Sequence, residues 1–154
     1  MKIAVFYTSL SGNTREAAEI VASAANARIF DVQNEWPPMD FDFMFFGTYT
    51  WGDGQLPMAM RKFLRRILIE ERRALPPAAV FGTGDSIFPR FCRAVDETIY
   101  HLKKHGVLVV GPGMKIEQSP YGLGQAEKLS AWAREVLQEY ETYRASIGRR
   151  LGHA

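Results

Sequence analysis

Residues 2–25, "KIAVFYTSLSGNTREAAEIVASAA", decide the fold. The opening "KIAVFY" is a short β-branched and aromatic run, and the closing "REAAEIVASAA" repeats its apolar residues at helical spacing. Between them "TSLSGNT", residues 8–14, is therefore a strand-to-helix turn. The first backbone N–H groups of a helix have no internal partners, and the helix dipole adds partial positive charge, so such a turn is a ready anion site. Ser9, Ser11, Asn13 and Thr14 surround it with neutral donors, and Gly12 lets the backbone come close. The same hydroxyls would also serve simply to cap the helix, a common task for Ser, Thr and Asn.

The kind of anion is narrowed by what the turn lacks. A Walker phosphate loop needs Lys followed by Ser or Thr after its last glycine, and Asn13 stands where that Lys would be. A dinucleotide fingerprint needs three glycines, and this turn has one. A site for a single phosphomonoester remains, held by neutral donors with no metal and no cationic clamp.

Working outward, 154 residues fit one domain with a real core. The single Cys92 excludes an internal disulfide framework and a multi-cysteine metal site. No export leader opens the chain and no apolar run nears about 20 residues, so a cytoplasmic protein without a membrane segment is expected. The net charge of +2 is unevenly spread: residues 1–60 carry three basic and seven acidic side chains, 61–105 ten and five, and the remainder six and five. The basic middle, "RKFLRRILIEERR", reads as a solvated helix face with Phe63, Leu64, Ile67 and Leu68 inward rather than as a nucleic-acid patch.

Strands are expected near 2–8, 28–32, 43–48, 78–83 and 107–116, with helices near 13–25, 57–72, 91–105 and 123–144, and a frayed tail over the last ten residues (domain 1–146, flexible tail 147–154). Alternating strands and helices imply an α/β fold, a parallel sheet with helices on both faces and right-handed crossovers. Between the second and third strands lies only "QNEWPPMD", whose prolines oppose a helix. That crossover is expected to be a loop, with Trp36 and Met39 covering the sheet.

Ligands of such sheets bind outside the carboxyl ends of the strands. Three loops converge there: "TSLSGNT", "TYTWGDG" and "GTGDSIFPRF". Trp51 and Phe88 can stand on either side of a flat ring, although each could equally anchor an interface or a core. Thr50, Gly52, Gly84 and Asp85 can offer backbone groups to a polar ring edge. His101 and His105, on the helix near 91–105, and His153, in the tail, read as surface residues, and Cys92 as a buried small residue rather than a reactive thiol.

In the order and spacing of "TSLSGNT", "GTYTWGDG" and "GTGDSIFPRFCRAVDE", over nearly its whole length, the chain resembles the short-chain flavodoxins of the Bacillus type. The resemblance implies a doubly wound five-stranded parallel sheet of order 2-1-3-4-5, its second crossover helix shortened or absent, with bound FMN. Position by position it implies that Ser9, Ser11, Gly12, Asn13 and Thr14, with the Leu10 N–H, hold the 5′-phosphate. Trp51 would cover the inner ring face and Phe88 the outer, with backbone groups around Thr83, Gly84, Asp85 and Cys92 at the pyrimidine edge. Thr48, Tyr49, Thr50, Gly52, Asp53 and Phe91 complete the implied cofactor set. The Gly52 carbonyl would face flavin N5 after the Gly52–Asp53 peptide turns over, and the carboxylates of Asp53 and Asp85, with no cation near, would disfavour full reduction.

The implied work is one-electron transfer at low potential, from a flavodoxin reductase or other electron donor to an acceptor redox enzyme. It needs no catalytic residue and no metal, and it fits a monomer that makes transient protein contacts and binds neither nucleic acid nor membrane. Departures from the family pattern are Phe88 where Tyr is common, the reduced second crossover and the basic balance. Two alternatives share the fold: an NAD(P)H-dependent FMN or quinone reductase, which would need an open flavin face, and a flavoprotein activator of a metalloenzyme such as ribonucleotide reductase.

Overall fold

The computed structural model describes residues 1–71 and 74–152, with the side chains of 151 and 152 left aside. Its strands are β1 (Ile3–Tyr7), β2 (Arg28–Asp31), β3 (Phe43–Tyr49), β4 (Ala78–Gly84) and β5 (Met114–Glu117). Its helices are α1 (Asn13–Ala25), α2 (Met58–Arg65), α3 (Arg93–Lys104) and α4 (Gln125–Gly152). All strand pairs are parallel, and the sheet order is β2-β1-β3-β4-β5, the order that the resemblance implies.

Central parallel strands are covered on both faces and so read as unbroken apolar runs. β1 and the first six residues of β3 are buried throughout. Alternate side chains feed two cores. Ile3, Val5 and Tyr7 join α1 and α4 through Ala17, Val21, Leu129 and Trp132. Ala4 and Phe6 join α2 and α3 through Met60, Phe63, Val95 and Leu102. Phe6 is the hub of the second core, its ring centroid 4.9 Å from Phe63, 5.6 Å from Phe30 and 5.8 Å from Phe46.

The crossover from β2 to β3 is a loop, as "QNEWPPMD" predicts. Trp36 lies 5.9 Å from Phe63, its ring tilted by 53°, and donates its indole N–H to the Val32 carbonyl at 2.7 Å, while Met39 and Phe41 pack on the second core. The Arg66 guanidinium lies over the Trp36 ring at 5.0 Å.

Three element boundaries differ from expectation. The strand expected over 107–116 pairs regularly only over Met114–Glu117, with a single bridge from Val109 to Ala78 before it. Gly111 at φ 70 and Pro112, which has no N–H, interrupt the ladder between the two. The helix expected over 57–72 is α-helical only to Arg65 and continues as a π-helical turn over Arg66–Glu70; position 72 lies outside the described residues. The segment read as a frayed tail is helical as far as Gly152, a continuation of α4, and His153 lies outside the described residues.

Candidate functional site

The first loop leaves β1 at Thr8, whose N–H donates to the Gly47 carbonyl at 3.0 Å. It enters α1 through Gly12, which at φ 101 adopts a backbone that other residues take at a cost. The Ser9 hydroxyl accepts hydrogen bonds from the N–H groups of Gly12 and Arg15, both at 3.2 Å. The cap position itself is Gly12, and Ser9, from three residues upstream, is the hydroxyl that satisfies N–H groups of the first turn. The N–H groups of Asn13 and Thr14 make no hydrogen bond among the described residues, so the anion site is free to act. The Thr14 hydroxyl is turned inward instead, 2.7 Å from that of Thr83, and ties the start of α1 to the end of β4.

The second loop is a closed hairpin. Trp51 and Gln55 exchange both backbone hydrogen bonds at 2.7 Å. Between them Gly52 sits at φ 51 in open surroundings and Gly54 at φ 89 in buried ones. Trp51 is 51% exposed, and its ring meets that of Tyr49 edge-on at 6.4 Å. Burial raises the pKa of the Tyr49 phenol, which keeps it a neutral hydroxyl. The Thr50 hydroxyl accepts from the Ala94 N–H at 3.1 Å, so it serves the start of α3. Thr48 is buried, its hydroxyl donating to the Tyr49 carbonyl at 2.8 Å.

The third loop is fixed by carboxylates. Asp85 Oδ1 accepts from the Ile87 N–H at 3.0 Å, and both Glu117 oxygens accept from the Ser86 N–H at 3.1 Å. This geometry leaves Phe88 63% exposed at the loop tip. Cys92, at φ 51, is buried with its sulfur 3.8 Å from the Ile116 carbonyl, and burial pushes its thiol up to about 12. It is a buried, unreactive thiol.

The second and third loops enclose a cleft of about 410 Å³. Of the residues singled out in the sequence, it is lined by Leu10, Tyr49, Thr50, Trp51, Gly52, Asp53, Gly84, Asp85, Phe88, Phe91 and Cys92. Ser9, Ser11, Gly12, Asn13 and Thr14 surround the N-terminus of α1 outside that cavity, and Thr48 and Thr83 are buried at the ends of β3 and β4. Sequence reasoning missed Arg15, Gly54 and Pro89, and placed Arg90 beside Phe88 only as a rim charge, outside the cofactor set. Two expectations are corrected by them. The cleft does contain a cation, Arg90, and the first loop has one beside it, since a Cβ on Gly12 would lie 3.8 Å from Arg15 Nη2. Arg15 follows the glycine at helical spacing, and Arg90 follows Phe88 by two residues, signals present in the sequence. Among the described residues no three His, Cys, Asp or Glu side chains gather as metal ligands, and no helix is long and apolar enough to cross a membrane.

A flat, partly apolar molecule bearing one phosphate suits this donor set. Two aromatic side chains stand uncovered at the cleft, backbone groups of glycine-rich loops line it, and the buried Thr8 hydroxyl has no hydrogen-bond partner. The fold and the cleft define a doubly wound flavoprotein. A flavodoxin family profile matches residues 5–132. Probable flavodoxin 2 of Bacillus subtilis is 33% identical over 150 residues, covering 90% of this chain and 95% of its own length. Probable flavodoxin 1 of the same organism is 34% identical over 143 residues, covering 88% and 90%. The crystal structure of oxidised flavodoxin 1 from Bacillus cereus superposes with a TM-score of 0.80 at 30% identity, covering 90% of this chain and 98% of that one. The chain belongs to the flavodoxin family, as a short-chain member. Its cofactor is FMN, and its work is electron transfer rather than turnover of a substrate.

Proposed function

We propose that the protein is a cytoplasmic, monomeric carrier that holds FMN non-covalently and moves single electrons at low potential from a reductase to an acceptor enzyme. The observation that carries this reading is the pair of uncovered aromatic side chains, Trp51 and Phe88, on one cleft otherwise lined largely by backbone and small side chains. FMN supplies the ability to accept and release electrons one at a time. The chain binds, orients and tunes. Ser11, Asn13 and the free N–H groups at the start of α1 take the phosphate, and Ser9 holds the loop in shape for them. Thr8 offers its unpaired hydroxyl, and Arg15 adds charge. Trp51 and Phe88 cover the ring, and backbone groups of Thr50, Gly52, Gly84 and Asp85 meet its polar edge. Asp53 and Asp85 set two carboxylates against the one guanidinium of Arg90 at the cleft, a balance that resists added negative charge.

Titration of the apoprotein with FMN and with riboflavin, followed by flavin fluorescence, tests the reading. FMN should bind far more tightly, and equal affinity for the two flavins would remove the phosphate loop from the argument. The reductase alternative is tested in the same preparation: with both ring faces covered, the holoprotein alone should not oxidise NADPH at steady state.

A further inference from the structure

Arg90 and Arg93 come from the segment after β4 but spend their guanidinium groups on the loop after β3. Arg90 Nη1 donates to the Asp53 carbonyl at 3.2 Å, and Arg93 Nη1 donates to the Gly54 carbonyl at 2.9 Å. The contact is built rather than incidental. Gly54 is buried, and a Cβ there would lie 2.6 Å from Arg90 Cδ and 3.1 Å from Arg93 Cδ, so the loop backbone lies directly against the two stems. Arg93 is steadied in turn by Glu97 at 3.6 Å. Together with the Trp51–Gln55 pair, these bonds fix the ends of the hairpin and two successive carbonyls. What they leave is the Gly52–Asp53 peptide, whose glycine is exposed at φ 51 with nothing within 4 Å of a Cβ position.

We propose that Arg90 and Arg93 are positioning residues: they clamp the Asp53 and Gly54 carbonyls so that reorientation of the loop beside the cofactor is confined to the single Gly52–Asp53 peptide. This rests on the reading that FMN fills the cleft. A loop with one free peptide presents its polar groups to the ring edge already arranged, and a loop free at three successive peptides must be ordered each time the ring gains an electron. The clamp thus favours uptake of the first electron. It also joins the two ring-flanking loops, one under Trp51 and one bearing Phe88, into a single body.

The experiment compares Arg90→Met and Arg93→Met with Arg61→Met, which removes a charge from the same rim but makes no contact with the Asp53 or Gly54 carbonyl. Two quantities are read: amide hydrogen exchange at Trp51 and Gln55 in the apoprotein, and the midpoint potential for the first electron in the FMN-loaded protein. Each clamp variant should speed exchange at both amides at least tenfold. Arg90→Met should also disfavour the first electron by at least tenfold, about 59 mV for a one-electron couple, and Arg61→Met should change either quantity less than threefold. Arg90→Lys keeps the charge without the planar fork and should reproduce the exchange effect, which also serves if Arg90→Met does not fold. Unchanged exchange in Arg90→Met, Arg90→Lys and Arg93→Met overturns the clamp. Faster exchange with an unmoved potential reduces the arginines to structural ties and overturns the proposal as well. If the wild-type protein binds no FMN, the cofactor reading fails by itself, while the exchange measurement on the apoprotein still decides the clamp.

Discussion

Replacing Trp51 with Ala isolates the contribution of one stacking face. In the structure 51% of Trp51 is open, and its ring stands edge-on to that of Tyr49. A Trp side chain offers about 200 Å², so a flat ring laid on it covers about 100 Å² of that surface. At about 25 cal/mol/Å² this coverage is worth about 2.5 kcal/mol. Aromatic stacking adds to the figure, and ordering the side chain subtracts a comparable amount. The variant should therefore lose about 2–3 kcal/mol of FMN binding, a rise in Kd of roughly 30- to 150-fold. The apoprotein should barely notice, with a stability change within about 0.5 kcal/mol, because the side chain contributes little to either core. Quenching of flavin fluorescence gives the Kd, and urea unfolding of the apoprotein gives the stability. A Kd within twofold of wild type would refute the stacking assignment. A matching loss of apoprotein stability would show instead that Trp51 is a core anchor, the alternative its sequence position allowed.

Phe6→Ala empties the hub of the second core and should cost about 3–5 kcal/mol in urea unfolding; a cost below about 1 kcal/mol would mean that the surrounding rings close over the gap. Cys92 ties stability to alkaline pH: its thiol rises from 9.0 to about 12 on folding, so above pH 9 the unfolded chain loses the proton first and the native state keeps it. Stability should fall by up to about 1.4 kcal/mol per pH unit between those values, and Cys92→Ala should remove that part of the slope in paired denaturation curves. Arg61 lines the cavity that adjoins Trp51 and has no carboxylate partner among the described residues. Arg61→Glu should speed reduction by a basic-surfaced reductase in stopped-flow at low salt, the gain shrinking as the Debye length falls from about 30 Å to about 8 Å. Slower reduction at every ionic strength would mark Arg61 as a productive contact instead.

The parallel sheet and both ring-flanking loops were legible because they follow from local rules: strands buried on both faces are apolar without a break, and glycine-rich turns at their carboxyl ends define a cleft; the strand order came from the family resemblance. The last strand was read too long because Val107, Leu108, Val109 and Val110 are strong strand formers, and the Gly111–Pro112–Gly113 break outweighs their propensity. The tail was read as frayed because chain ends commonly fray, yet α4 carries on through Gly148. The bonds that the two arginines make were not legible for another reason. A flexible side chain with several rotatable bonds reveals its partner only after the fold has brought it there, and the Asp53 and Gly54 carbonyls lie far from Arg90 and Arg93 along the chain. The hydroxyls divided likewise: those of Ser9, Thr14 and Thr50 turned out to serve the scaffold, a distinction that residue type alone does not make.

The helix-free crossover bears on how the molecule can be joined to others. Backbone bonds hold the crossover at its two ends, but from Trp36 to Phe41 the chain is held mainly by side chains, Trp36 on Phe63 and Met39 on the second core, and Pro37 and Pro38 have no backbone N–H to give. With Met1, Lys2 and Arg28, these prolines line a cavity where β1 and β2 begin, at the end of the sheet opposite the FMN cleft. A second domain spliced in between Pro37 and Pro38 would break no ladder bond and leave the cleft unobstructed, making that turn the natural seam for building a fused electron-transfer chain.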